Sequence, residues 1–220
     1  MDARARKISQ TMRTRKLDNF KHWRDEMKRI GKIKSSYSAL KRNGDLAELI
    51  GIVLGDGHLY KHDRCDSLRI VGDSKKMGFV IHSAKLIKEV FGKDATIVKV
   101  KSSNAVTITI YEQHIAKRIN LPHGSRKDFE YTLPSWISRN RSFRIRFLRG
   151  LYEAEGSESH HAATSTHKLF FANNNPHLLK LVANLVTDLG FTQNTYVNKV
   201  QISRGAEVQK LKNLLQFRSY

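Results

Sequence analysis

Two short segments of the sequence place a carboxylate directly after a run of apolar and small residues. They read LIGIVLGDG (49–57) and LRGLYEAEG (148–156), so Asp56 and Glu155 occupy the same position, 99 residues apart. Each acid is predicted at the C-terminal end of a helix, where the helix dipole disfavours an anion. Two acids held close together also repel one another. A bound divalent cation relieves both effects, and carboxylates with free helix-end carbonyls suit Mg²⁺ or Ca²⁺.

Small residues four positions apart predict that the two helices pack closely. The pairs are Gly51 with Gly55 and Gly150 with Ala154. A glycine inside a helix costs about 1 kcal/mol relative to alanine, so a close backbone contact is a physical reason for its presence. A solvated acid in an ordinary turn would explain one such segment by itself. The doubled occurrence favours a paired site, with Gly51 and Gly150 at the helix interface.

The elements around the two segments recur in the same order. In the first half, Asp45 is predicted to cap a helix that ends near Leu54, with Glu48 completing a capping box. Apolar periodicity then predicts strands over 67–73, 95–100 and 105–111, and helices over 75–92 and 113–120. In the second half it predicts a helix over 141–154, strands over 167–174, 194–197 and 199–203, and helices over 176–190 and 206–215.

These patterns predict an α+β fold built from two pseudo-symmetric αββαββα halves. Four parts follow from the repeat: a basic N-terminal extension (1–44), a first half (45–127), a linker (128–140) and a second half (141–220). The extension is predicted to combine a flexible arm over Met1–Lys16 with a short helix that carries Phe20, Trp23, Met27 and Ile30. The arm alone is compatible with a DNA-tracking segment, a solvated tail or an organellar presequence.

The composition favours a polyanionic partner. The 220 residues include 40 Lys and Arg against 20 Asp and Glu, a formal charge of +20, and residues 1–44 carry +10 of it. Nucleic acid is the first candidate and an acidic membrane surface the second. The single cysteine, Cys65, excludes a disulfide framework and a cysteine-based zinc module. No apolar run reaches the roughly 18–20 residues that span a bilayer.

The paired segments resemble the motifs of the LAGLIDADG homing endonucleases, of the single-chain type with two motifs. The resemblance rests on LIGIVLGDG (49–57) and FLRGLYEAEG (147–156), with further similarity in LPHGSRKDFEYTLPSWI (121–137). It implies a monomer whose motif helices pack at a pseudo-twofold axis and whose two antiparallel four-stranded sheets form a saddle over the major groove of double-stranded DNA. It further implies double-strand cleavage of a long, partly degenerate, asymmetric site.

The resemblance also implies the roles of individual residues. The metal-binding acids fall on Asp56 and Glu155, and Gly55 and Ala154 would offer backbone carbonyls. The metal would be Mg²⁺, with Mn²⁺ able to replace it and Ca²⁺ supporting binding without efficient cleavage. Family members place a basic residue near each scissile phosphate, and this sequence offers Lys127 in the first half and Arg218 in the second. The implied chemistry is metal-assisted phosphodiester hydrolysis without a covalent nucleophile.

Strand residues that alternate outward are predicted to face the DNA. Arginine and lysine can read guanine edges or contact phosphate, and glutamine can read adenine. With their neighbours in loops, the predicted DNA-binding residues are Arg69, Lys75, Lys99, Lys101, Thr107, Thr109, Arg126, Lys168, Lys199, Gln201 and Ser203. His160 and His161 are predicted in a loop beside the groove.

Two other functions fit the same residues. One is an intron RNA-splicing maturase, in which the basic extension would bind RNA. The other is a DNA-binding regulator that does not cleave, which would have no need for Asp56 and Glu155. We expect an intracellular protein without a membrane partner, in a prokaryotic cytoplasm or nucleoid or in an organelle, that is not secreted.

Overall fold

The structure, a computed structural model, describes residues 2–15, 18, 20–32, 34, 36–101, 103–161 and 166–220. These residues form two compact units, Met1–Ser38 and Ala39–Tyr220. In the part of the chain that is described, no helix has the length and apolar character needed to cross a membrane.

The first unit contains helix α1 (Ala3–Thr14) and helix α2 (Lys21–Arg29). Helix α1 occupies most of the segment predicted as a flexible arm, whose ends, Met1 and Lys16, lie outside the described residues. The Asp2 side chain caps it by accepting a hydrogen bond from the Arg4 amide, and its sequence is rich in good helix formers. Helix α2 matches the predicted short helix.

The second unit contains two halves with the same order of elements. The first half consists of α3 (Gly44–Asp56), β1 (Gly57–Lys61), β2 (Asp66–Asp73), α4 (Met77–Phe91), β3 (Thr96–Lys99), β4 (Ala105–Glu112) and α5 (Ile115–Ile119). A short helix, α6 (Ser135–Ser138), precedes the second half. That half consists of α7 (Arg141–Glu155), β5 (Gly156–His161), β6 (Thr166–Ala172), α8 (Pro176–Asp188), β7 (Asn194–Tyr196), β8 (Lys199–Ile202) and α9 (Gly205–Leu215).

Each half has one four-stranded antiparallel sheet. The strand orders are β1-β2-β4-β3 and β5-β6-β8-β7, so the two sheets share one topology. In the central strands β2, β4, β6 and β8, the residues that face the helices are buried, such as Leu68, Ile108, Leu169 and Val200, as the alternation of apolar residues predicts. The predicted α+β architecture with two antiparallel four-stranded sheets is confirmed.

Strands β1 and β5 are absent from the sequence-based prediction. Each begins at the residue directly after a motif helix, because helices α3 and α7 continue through Asp56 and Glu155 themselves. Neither strand has an alternating apolar pattern: Leu59 is the one large apolar residue of β1 that is buried, and β5 reads GSESHH. His160 and His161, predicted in a loop, form the end of β5.

The predicted start of helix α3 is also wrong by two residues. Asn43, not Asp45, is the N-cap, and its side-chain oxygen accepts a hydrogen bond from the Leu46 amide at 3.0 Å. Asp45 instead forms an ion pair with Arg146 at 2.7 Å. A cap and an ion-pair partner look alike in sequence, because both are acidic or amide residues near a helix start.

Glu48 is fully buried between the two halves instead of closing a capping box. Its carboxylate contacts His82 of helix α4 at 2.5 Å and Arg149 of helix α7 at 3.3 Å, and it also pairs with Arg146. A buried carboxylate requires such partners, since an unpaired charge in an apolar interior is very costly. The network therefore ties α3 to both α4 and α7.

Candidate active site and sheet surfaces

Helices α3 and α7 cross at their glycines. A Cβ atom added to Gly150 would lie 2.1 Å from the carbonyl oxygen of Glu48, and one added to Gly51 would lie 2.3 Å from that of Phe147. Further along, a Cβ at Gly55 would lie 2.6 Å from the Cβ of Ala154. No side chain fits between the backbones at these points. The crossing therefore brings the C-terminal ends of the two helices together.

Asp56 and Glu155 are the last residues of these helices, and both are half-buried. Burial raises the pKa of Asp56 from 3.8 to about 7; the charge of Glu155 adds to the rise, and Lys76 opposes it. Burial likewise raises the pKa of Glu155, while a 3.2 Å hydrogen bond from the Asn173 amide opposes the shift. The fold thus holds two carboxylates where their charges are disfavoured.

Two clefts flank the helix crossing, and each combines groups from both helices. One, of about 390 Å³, is lined by Asp56 and by Ala154 of the other helix. The second, of about 590 Å³, is lined by Glu155 and by Gly55. The last carbonyls of a helix have no partner within that helix, so each acid lies beside a carbonyl that can act as a ligand.

This set of donors fits a hard divalent cation. Carboxylate and carbonyl oxygens are the ligands that Mg²⁺ and Ca²⁺ prefer, and the disfavoured charges of Asp56 and Glu155 would be neutralised by a cation. Within the described ranges, no group of three or more His, Cys, Asp or Glu residues could hold a metal ion. Further ligands would therefore be water or a phosphate oxygen, as is common for Mg²⁺.

The basic residues of the two clefts differ. Lys75, Lys76 and Arg218 line the cleft of Asp56. Lys127 lines the cleft of Glu155 together with Arg126 and the amides Asn173, Asn174 and Asn175. Lys76 is absent from the predicted site, although its place between strand β2 and helix α4, next to Lys75, was a signal in the sequence.

Arg126 and Arg218 play equivalent structural parts in the two halves. The Arg126 guanidinium donates hydrogen bonds to the carbonyl of Val53 at 2.7 Å and to that of Gly57. The Arg218 guanidinium donates to the carbonyl of Gly156 at 2.8 Å. Gly57 and Gly156 directly follow the two acids, so each arginine holds the turn from motif helix to strand.

This equivalence changes the predicted pairing of Lys127 with Arg218. Judged by these main-chain contacts, the counterpart of Arg218 is Arg126 and not Lys127. The Arg126 guanidinium is used to bind main-chain oxygens. Lys127 is exposed at the mouth of the Glu155 cleft. The sequence could not separate the adjacent Arg126 and Lys127, because both are basic and only their contacts differ.

Several predicted DNA-binding residues share the sheet face opposite the helices, here called the outer face. In the first sheet, Arg69 pairs with Thr109, and Thr107 pairs with Val71. Residues paired across antiparallel strands lie on the same face, and Ile70 and Ile108 on the other face are buried. In the second sheet, Lys168 and Lys199 lie on the outer face by the same rule.

Other predicted members of this set lie elsewhere. Lys99 pairs with the buried Val106, so it lies on the helix-side face at the sheet edge, and Lys101 lies in the turn beyond strand β3. Gln201 is on the outer face but only 7% exposed, and its amide donates to the Ser203 hydroxyl at 2.5 Å. Strand β3 has only four residues, and its two apolar residues, Ile97 and Val98, are adjacent, so the sequence did not show which residues face outward.

Comparisons with known proteins agree with this geometry. Residues 142–220 match the family model described as a LAGLIDADG-like domain. The homing endonuclease I-DmoI of Desulfurococcus mucosus is 25% identical over 168 residues, which cover 71% of this chain and 76% of that protein.

Solved structures show the same fold. A crystal structure of I-DmoI with DNA and Mn has a TM-score of 0.52 at 18% identity, covering 80% of this chain and 97% of that one. The N-terminal LAGLIDADG domain of DUF199/WhiA has a TM-score of 0.56 at 15% identity, covering 83% and 84%. The chain is therefore similar to the homing endonuclease I-DmoI in sequence and in fold, and its second half matches a LAGLIDADG-like domain.

Proposed function

We propose that this protein is a site-specific endonuclease that cuts both strands of a long, asymmetric DNA target by divalent-metal-assisted hydrolysis. One observation carries the proposal: Asp56 and Glu155 end two crossing helices, and each shares a cleft with the small residue of the other helix. This arrangement provides two related sites for two strands. The homology to I-DmoI supports nuclease activity.

Asp56 and Glu155, with the carbonyls of Gly55 and Ala154, would hold the cations. A bound divalent cation would supply Lewis-acid activation of water and stabilise charge on the phosphate oxygens. Mg²⁺ is the proposed metal, with Mn²⁺ able to replace it and Ca²⁺ supporting binding without efficient cleavage. Structures of I-DmoI with DNA and Mn, Ca or Mg support divalent metal use in the family.

The chain's basic residues would hold the scissile phosphates. Lys127 is exposed at the Glu155 cleft, and Lys75 and Lys76 are exposed at the Asp56 cleft, so a phosphate in either cleft meets an ammonium group. Arg218 and Arg126 would act by fixing the backbone that follows each acid. Because different residues line the two clefts, the two DNA strands would be cut in different surroundings.

The two outer sheet faces would contact the DNA. The chain has a formal charge of +20. This charge favours binding to phosphates and makes the affinity for DNA fall as the salt concentration rises. Because one chain contains both halves, a monomer presents both clefts. Because the two outer faces carry different side chains, the favoured target is asymmetric.

Replacing Asp56 by Asn tests the metal-ligand role. The protein should cut a plasmid library of randomised sites in Mg²⁺ and yield one long motif, and Asp56→Asn should lose cutting at least about 100-fold while binding the same site in Ca²⁺. Asp94→Asn is the matched control, since that side chain is 81% exposed and pairs with Lys88. Loss of binding with loss of cutting, or retained cutting, would contradict the proposed role.

A DNA-binding protein without cleavage is the second candidate. The fold is similar to the DUF199/WhiA domain, whose name mentions no endonuclease, as well as to I-DmoI, so we infer the activity from the two acids and not from the fold alone. The paired, charge-disfavoured acids favour the endonuclease. Sequence-specific binding without any strand break in Mg²⁺ or Mn²⁺ would favour the second candidate instead.

A further inference from the structure

The outer face of the first sheet contains one row of residues that is largely apolar. Val71, Thr107 and Val98 lie side by side across strands β2, β4 and β3, and are here called the valine row. Val71 is 41% exposed and Val98 53% exposed. The Thr107 hydroxyl donates to the Val98 carbonyl at 3.2 Å, so it is engaged by the sheet itself. This row offers methyl groups rather than hydrogen bonds.

The neighbouring rows of the same face are polar or aromatic. His58, Arg69, Thr109 and Thr96 form the next row, and Tyr60, Ser67 and Tyr111 the one after it. Arg69 thus supplies the guanidinium group of these three rows, with His58 beside it. A partner of the valine row must therefore present an apolar group close to a group that an arginine can bind.

The outer face of the second sheet has a different chemistry. Lys168 and Lys199 provide two ammonium groups, and Asn194 adds an exposed amide. The Lys199 ammonium lies 5.2 Å from the ring of Phe170 and 5.3 Å from the ring of Tyr196. Cation–π contacts with two rings hold this charge close to the sheet.

We propose that the valine row reads thymine methyl groups, so that the half of the target under the first sheet requires thymine while the other half is read through hydrogen bonds. The inference rests on the proposed function. The C5 methyl of thymine is the apolar group that a major-groove base edge presents, and guanine is the base that arginine binds best. DNA therefore supplies both groups that the valine row and Arg69 need.

The spacing of the rows gives the expected spacing of the bases. Residues two apart on a strand are separated by about 6.8 Å, and successive base pairs by about 3.4 Å. Arg69 precedes Val71 by two residues on strand β2. A guanine read by Arg69 should therefore lie about two base pairs from the thymine read by the valine row.

Replacing thymine by deoxyuridine in a selected site tests the inference, because only the methyl group is removed. The site is first recovered from a randomised library by binding in Ca²⁺, and each thymine is then replaced in turn. One thymine of the first half-site should bind about fourfold more weakly as uracil, the factor expected for one buried methyl group. In Val71→Ser and in Val98→Ser, the thymine site and the uracil site should bind with about equal affinity.

Val197→Ser is the matched control, since Val197 is 99% exposed and lies between strands β7 and β8. It should keep the full methyl effect. If no thymine of the first half-site shows the effect, or if Val71→Ser and Val98→Ser leave it unchanged, the inference is overturned while the endonuclease proposal stands. If the library yields no selected site, both are overturned.

Discussion

Asp56 and Glu155 end equivalent helices, yet different groups face them. Lys76 stabilises the charge of Asp56 from a distance, whereas Asn173 donates a hydrogen bond to Glu155. Burial dominates in both acids and raises the pKa of each. A site built this way disfavours both negative charges when no cation is bound, and a bound cation would offset that cost.

The raised pKa of Asp56 predicts a pH-dependent cost to stability. The folded protein binds the Asp56 proton up to about pH 7, whereas the unfolded chain loses it near pH 3.8. The unfolding free energy should therefore fall as pH rises from about 4 to about 7. Without divalent metal, Asp56→Asn should be more stable than the wild type at pH 8, by on the order of 2 kcal/mol, and nearly equal at pH 4.

Urea unfolding of both proteins at the two pH values measures this difference. Asp94→Asn again provides the control, because its exposed carboxylate is not disfavoured by burial. A stability difference between Asp56→Asn and the wild type that is the same at both pH values would contradict the assigned cause.

The sequence predicts the two acids but not the residues that position them. Asp56 and Glu155 can be recognised because they recur in a repeat. The part played by Arg126 depends on a carbonyl 73 residues away in the chain, and that of Arg218 on one 62 residues away. Every residue has a main-chain oxygen, so the sequence does not show which of them accepts a hydrogen bond from an arginine. Only the folded structure shows these contacts.

At the scale of elements, regular periodicity decided what could be predicted. Helices α4, α7 and α8 have clear apolar stripes and capping or stop residues, and they are confirmed within a few residues. Strands β1 and β5 have no such pattern, because the sheet needs few apolar side chains at those edges. The outward orientation predicted for Lys99 of strand β3 is wrong for a different reason. The apolar residues Ile97 and Val98 are adjacent, so the sequence has no alternation that shows which face is buried.

The crossing of helices α3 and α7 predicts a large effect of one methyl group. Gly150→Ala would place a Cβ 2.1 Å from the Glu48 carbonyl oxygen, a distance that forces the backbones apart. We expect the unfolding free energy to fall by about 3 kcal/mol or more and cleavage to disappear with the cleft geometry. Thermal or urea unfolding measures the first effect.

Gly205→Ala is the matched control for this variant. Gly205 begins helix α9, and a Cβ added there meets nothing within 4 Å. Its stability should be unchanged or slightly raised, because alanine favours the helix more than glycine does. Equal stability of the two variants would show that the helix crossing tolerates a wider separation than the structure indicates.

At the scale of the whole molecule, the positive charge belongs to two separate units. Residues 1–38 contain 12 Lys and Arg against 4 Asp and Glu. Within the described part of helix α1, Arg4, Arg6, Lys7 and Arg13 form no ion pair, whereas Arg24 and Arg29 of helix α2 are paired with Asp18 and Glu26. Helix α1 therefore offers four unpaired basic side chains to phosphates.

Neutralising helix α1 should reduce the salt dependence of DNA binding. In the variant with Arg4, Arg6, Lys7 and Arg13 all replaced by alanine, the slope of log K against log salt should become less steep by about 0.9 for each phosphate that is no longer neutralised. Filter binding over about 50–200 mM salt measures it. Arg24→Ala with Asp18→Ala is the control of unchanged charge, and an unchanged slope in the fourfold variant would exclude α1 from DNA binding.

The buried network around Glu48 also has a consequence for the order of synthesis. Glu48 is synthesised 98 residues before Arg146, and Tyr220, whose ring stacks on that of His82 at 5.1 Å, is synthesised later still. Until then the first half holds a carboxylate whose arginine partners do not yet exist, and burying it would leave a charge incompletely paired. A nascent or truncated chain that stops before helix α7 lacks the arginines that pair with Glu48. Helix α3 therefore cannot be buried in its native surroundings until the second half has been synthesised.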